Sequence, residues 1–167
     1  VLAAADGGTM SLADNAAVTA AALTSLRWTG VSLGAGAAFT APGLTDFSGS
    51  SLSLSPGRTF DSAALTNIDN ARLAVSGGVQ FGTAYGDISA GSYSSTSLHG
   101  SYTLFSASDA GTILDLSSLT SINASFNAGY PGGQVHTISA GNGGLVDLRN
   151  VTSITSPVQA DDRLDLV

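Results

Sequence analysis

The chain is predicted to be all-β, a parallel β-solenoid with about 21 residues per rung and roughly 7 to 8 rungs. Three observations predict it. A Leu-Thr-x-apolar phrase returns as Leu23-Thr24-Ser25-Leu26, Leu44-Thr45-Asp46-Phe47, Leu65-Thr66-Asn67-Ile68, Leu119-Thr120-Ser121-Ile122 and Val151-Thr152-Ser153-Ile154, and its first three copies start 21 residues apart. Two other sets of positions keep the same step. The composition, finally, holds no Glu and no Lys; the charge comes from 12 Asp and 5 Arg. Glu and Lys are the usual residues of helical surfaces, whereas Asp favours turns and caps.

Taken in order, each unit opens on an apolar-small-apolar triplet: Met10-Ser11-Leu12, Val31-Ser32-Leu33, Leu52-Ser53-Leu54 and Leu73-Ala74-Val75. Alternation of this kind is the mark of a strand with one buried face. A Gly or Ser turn follows, then Val18, Phe39, Phe60 or Phe81, and then the Leu-Thr phrase. The Ala-rich stretch 16–26 invites a helix, but Val18 and Leu23 fall in the columns of Phe39 and Leu44, so strands are expected there. Between Tyr85 and Asp109 the phrase is lost, and Tyr93 is assigned to the inward position of the missing rung. Leu114-Asp115-Leu116 returns 41 residues after Leu73, close to two rungs. The Gly- and Pro-bearing segment 127–133 reads as a loop, which accounts for Val146-Asp147-Leu148 following 32 residues later instead of 21.

Nothing marks a linker, so residues 1–167 are expected to form a single β-solenoid domain with irregular insertions near 85–109 and 127–133. A net charge of −7 weighs against nucleic acid, whose binders neutralise phosphate with basic residues. There is no apolar run of membrane-spanning length. The chain has no Cys, hence no disulfide and no thiol chemistry. It begins without Met and without a basic leader, so a secretion signal is expected to have been removed or to lie outside this sequence. A Lys-free surface of Ser, Thr, Gly and Asn fits the extracellular milieu, at a cell surface or secreted.

The phrases Ile113-Leu114-Asp115-Leu116-Ser117-Ser118-Leu119-Thr120-Ser121-Ile122 and Leu145-Val146-Asp147-Leu148-Arg149-Asn150-Val151-Thr152-Ser153-Ile154 resemble the degenerate repeats of large secreted bacterial parallel β-helix proteins, among them adhesins and autotransporter-passenger-type surface proteins. The resemblance covers most of the chain. It implies a right-handed helix, exported, serving as a stalk, adhesin or matrix component, and it brings no active-site motif.

Asp115 and Asp147 hold the same place in two phrases and are expected to project outward and stack, as a solvated pair or one offset by Arg149 or a cation. Two carboxylates at rung spacing repel by roughly 1 kcal/mol in water. Calcium suits such oxygen ligands, but the Gly-Gly-x-Gly-x-Asp nonapeptide of calcium-binding β-rolls is absent. The expectation is therefore no cofactor, and a chelator that leaves the melting temperature unchanged. Catalysis is not expected. Of the segments that mark polygalacturonase-like β-helix enzymes, only His99-Gly100 and Asp161-Asp162 occur, in reversed order, and no Lys is present to take a proton. His99 and His136 are isolated and expected at the surface, His136 in a strand.

Thr24, Thr45, Thr66, Thr120 and Thr152 form a rank that could match ice, although the doubled Thr-x-Thr of such proteins is replaced here by Leu26, Phe47, Ile68, Ile122 and Ile154. Tyr85, Tyr102 and Tyr130 lie in or beside the interruptions and are candidate glycan contacts. The final Arg163-Leu164-Asp165-Leu166-Val167 repeats the apolar-Asp-apolar pattern without a polar cap, so continuation into a longer solenoid or end-to-end self-association is expected. The expected function is a non-catalytic extracellular structural module, an adhesin or self-assembling filament. Ice binding and polysaccharide binding or degradation are the alternatives.

Overall fold

The computed structural model of the chain describes residues 2–126 and 133–167. In order, its elements are β1 (Gly8–Leu12), β2 (Ala17–Thr19), β3 (Thr29–Leu33), β4 (Ala38–Ala41), β5 (Ser51–Leu54), β6 (Thr59–Ser62), β7 (Arg72–Ser76), β8 (Gln80–Gly82), a 3-10 turn (Thr83–Tyr85), β9 (Ser92–Ser94), β10 (Tyr102–Ser108), β11 (Ile113–Asp115), β12 (Ser121–Asn123), β13 (Val135–Gly141), β14 (Leu145–Asp147), β15 (Ser153–Thr155) and β16 (Arg163–Leu166). The protein is all-β, and every strand pairing among the described residues is parallel. Stretch 16–26 carries β2 and the residue Ser25, bridged to Ala4 on one side and Asp46 on the other, with no helix.

One long sheet runs β1-β3-β5-β7-β10-β13-β16, and three shorter ones run β2-β4-β6, β8-β11-β14 and β9-β12-β15. Parallel pairing of strands so near in sequence, with the chain returning to the same sheet after each excursion, is compatible with the expected solenoid. In the long sheet Met10 faces Val31, Val31 faces Leu52 and Leu52 faces Leu73, each 21 positions on. Beyond Leu73 the step widens: Leu73 faces Phe105, 32 positions later, and Phe105 faces Ile138, 33 later. The 21-residue period therefore holds only for the first four strands of this sheet.

Two placements are corrected by the register. Leu114-Asp115 continues the column of Phe81-Gly82, not that of Leu73, whose place in the next layer is taken by Phe105. Asp165 faces Thr137 in the long sheet and so does not belong with Asp115 and Asp147, which face each other in a short one. Tyr93 does take an inward position, buried and in register with Ile122, with its hydroxyl donating to the Ala71 carbonyl at 2.9 Å.

The corners are set by backbone chemistry. Asn15, Gly36, Gly57 and Gly78 stand 21 apart with φ of 57, 69, 76 and 87°, and Gly111 and Gly143 carry the same conformation at 79 and 86°. Gly and Asn enter this left-handed region at least cost. Inside, one apolar cluster extends from Leu12 to Ile138. Phe60 is its aromatic centre, with ring centroids 5.5 Å from Phe39, 5.6 Å from Phe47 and 6.4 Å from Phe81. Among the described residues no helix is long and apolar enough to cross a membrane.

Candidate functional site

The Thr rank stands on the outside, with Thr24, Thr66, Thr120 and Thr152 exposed and Thr45 half-buried. Its hydroxyls are engaged along the stack. Thr24 Oγ1 donates to the Ala3 carbonyl at 3.1 Å, Thr66 Oγ1 to Thr45 at 3.4 Å, Thr120 Oγ1 to Gly91 at 3.0 Å and Thr152 Oγ1 to Thr120 at 3.2 Å. The rank is also split, because the Thr120 amide rests on the Gly91 carbonyl and not on Thr66. These side chains tie neighbouring repeats together, the use that stacked hydroxyls ordinarily serve.

Asp115 and Asp147 stack in register; they are not an outward, solvated pair, and of the expected alternatives the offset by Arg149 is the one that forms, at Asp147. They are 3 and 7% exposed. Each ends its strand, and its carboxylate turns back onto the next turn. Asp115 Oδ1 accepts from the Ser117 amide at 2.8 Å and Oδ2 from the Ala84 amide at 3.1 Å. Asp147 Oδ1 accepts from the Arg149 amide at 3.1 Å, and its Oδ2 pairs with the Arg149 guanidinium. Hydrogen bonding to Arg149 holds the Asp147 carboxyl below the usual carboxylate range. The pair thus anchors turns, and among the described residues no group of three or more His, Cys, Asp or Glu comes together to hold a metal.

The aromatic candidates are scattered. Tyr85 is exposed in the 3-10 turn, whereas Tyr102 opens β10 in the long sheet, half-buried, with the Arg72 guanidinium 5.0 Å above its ring. Tyr130 and the 127–133 loop, apart from Gly133, lie outside the described residues. His99 is exposed, as expected. His136 is not: it is in β13 but fully buried, its ring 3.6 Å from that of Phe126 and its Nδ1 3.0 Å from Ser95 Oγ. Burial pushes its pKa down to about 4.

The surfaces that stand out are elsewhere. At both ends of the stack, columns that are buried in the interior become exposed. Val18 is 43% exposed while Phe39, facing it in the next strand, is 1%. Ile154 is 42% exposed while Ile122, which faces it, is 1%. Leu2 and Val18 border an open apolar hollow at one end, and Leu145, Leu166 and Val167 are exposed toward the other.

The outward face of the long sheet is polar. Ser11, Ser32, Ser53, Ala74, Ser106 and Ser139 follow one another down it, and a depression of about 320 Å³ is lined by Arg72 and Ala74 together with Ser51, Ser53, Thr103 and Ser106. The Ser rank is written in the apolar-Ser-apolar triplets; the depression is not. Compared with known proteins, the chain matches no family model, no curated protein and no solved structure.

Proposed function

We propose that this chain is a non-catalytic, extracellular structural module, a right-handed β-helix of seven or eight rungs that assembles end to end into a filament or matrix. The reading rests on one observation, the jump in exposure along columns that are otherwise dry. Val18 and Ile154 occupy places that the interior fills with buried Phe39 and Ile122. One more layer over each end would bury these side chains and pair the free edges of β1 and β16, which carry unsatisfied ladder groups. A head-to-tail contact of this kind does not close on itself, so it propagates as a fibre. Continuation of the same chain into further rungs would cover the ends by the same chemistry.

The surface supports an exported location: it is Lys-free and rich in Ser, Thr and Asn, and the chain has no thiols to protect. Sedimentation velocity and negative-stain electron microscopy of the purified chain test the proposal. Elongated species that grow with concentration are expected, with the long sheet running along the particle. A monomer that persists at high micromolar concentration would exclude self-assembly.

A further inference from the structure

We propose a second, lateral site: the depression around Arg72 binds an acidic saccharide, its carboxylate paired with the Arg72 guanidinium and its hydroxyls with the surrounding Ser and Thr. The argument starts from an unbalanced charge. Arg27, Arg149 and Arg163 each pair with an Asp, and Arg58 Nε donates to the Leu33 carbonyl. Arg72 is the one Arg whose side chain donates no hydrogen bond among the described residues, and its Nε is buried without an acceptor. An unpaired buried donor on a cation is costly, and buried polar groups are nearly always satisfied. The Tyr102 ring lies against the guanidinium at 5.0 Å and holds it in place without using its N–H groups. With Nε enclosed, a carboxylate in the hollow would meet the guanidinium through its terminal N–H groups, a planar pair suited to it.

The walls indicate the rest of the ligand. Ser51, Ser53, Thr103 and Ser106 line the depression, and none of their hydroxyls bonds to a protein group among the described residues. They contrast with Thr24, Thr66, Thr120 and Thr152 of the Thr rank, whose hydroxyls are engaged. Ala74 stands where Ser53 and Ser106 hold the same place on the flanking strands, and the missing hydroxyl deepens the floor. The volume of about 320 Å³ is at the lower end of that of small-molecule sites, enough for a sugar unit but not for a large ligand. A single cation in a hydroxyl-lined hollow is complementary to a polyol bearing one acid per unit; the local guanidinium carries the attraction against a net charge of −7 on the chain. The site is on the side of the stack, so it does not depend on the ends.

Titration calorimetry on the whole chain tests it with three probes: a short oligouronide, a neutral oligosaccharide of equal length, and sodium sulfate. The oligouronide is expected to bind, and the neutral sugar to bind at least about 10-fold more weakly, since a charge-assisted fork is lost. Arg72→Gln should lower oligouronide affinity by about 10-fold or more. Ser53→Asp, at an exposed strand position, places a carboxylate in the hollow without disturbing the Tyr102 stack and should abolish binding even if Arg72→Gln folds poorly. No heat with the oligouronide at millimolar concentration, or equal affinity in wild type and Ser53→Asp, would overturn the proposal. Sulfate binding as tightly as the oligouronide would reduce the site to a bare anion seat and overturn its saccharide assignment. Sedimentation of the same samples separates this outcome from a failure of end-to-end assembly.

Discussion

Gly49 shows how one residue can be dictated by the repeat before it. Gly7, Trp28, Gly49 and Asn70 stand 21 apart with φ of 83, 53, 70 and 58°, a second left-handed corner in which Trp28 is the only large side chain. Its indole lies over Gly49, where an added Cβ would come within 2.3 Å of the ring. Gly49→Ala should cost about 1–3 kcal/mol from the left-handed backbone and the clash together, and distinctly less in a Trp28→Gly background; urea denaturation of the single and double variants measures both. His136 makes a different prediction. Its folded pKa of about 4 lies below the ordinary 6.5, so between these values the unfolded chain takes up a proton that the folded chain refuses. Stability should be unaffected by this group above about pH 6.5 and should fall as the pH drops from there toward about 4, by no more than about 3 kcal/mol, and His136→Leu should remove that part of the slope. Nothing in the sequence placed His136 inside: Ser95 is 41 positions away in the chain, and nothing in the repeat marks Phe126 as its stacking partner. Arg72 was equally silent, because a single Arg reads the same whether or not a carboxylate faces it.

At the scale of the element, alternation was the legible signal and sheet identity the illegible one. Val18, Phe39 and Phe60 were readable as a column from their 21-residue step, and β2, β4 and β6 pair in that register. Phe60→Ala should therefore be severe, about 3–5 kcal/mol in denaturant unfolding, since it empties a place bounded by three other rings. The same change at Val18 should cost far less, because that side chain is still wet. Leu114-Asp115-Leu116 was misplaced because it reads apolar-x-apolar like the long-sheet triplets Val31-Ser32-Leu33, Leu52-Ser53-Leu54 and Leu73-Ala74-Val75, and period two cannot say which sheet a triplet joins. Once the step widens beyond Leu73, counting by 21 no longer decides between them. The burial of Asp115 and Asp147 was missed for a related reason. Alternation sends them outward, but at a strand end the carboxylate curls back onto the amide two residues on, as Asx residues do.

For the whole molecule, the proposed assembly would rest on two small faces, so it should be switchable without touching the core. Val18→Asp and Ile154→Asp each place a charge on an end layer, and either should return the sedimentation profile to monomer while the unfolding midpoint changes by much less than in Phe60→Ala. The all-β, parallel character was legible in the repeat; the lateral hollow was not, since it arises from four strands meeting around one missing hydroxyl at Ala74. The change in step from 21 to 32 has a kinetic meaning as well. Closing the longer loop costs about 0.4 kcal/mol more chain entropy per layer. The layers around Phe39, Phe47 and Phe60 combine the cheaper closures with the densest aromatic contact. Folding should thus nucleate in this N-terminal half and propagate one layer at a time toward β16, each new strand docking on an edge already formed.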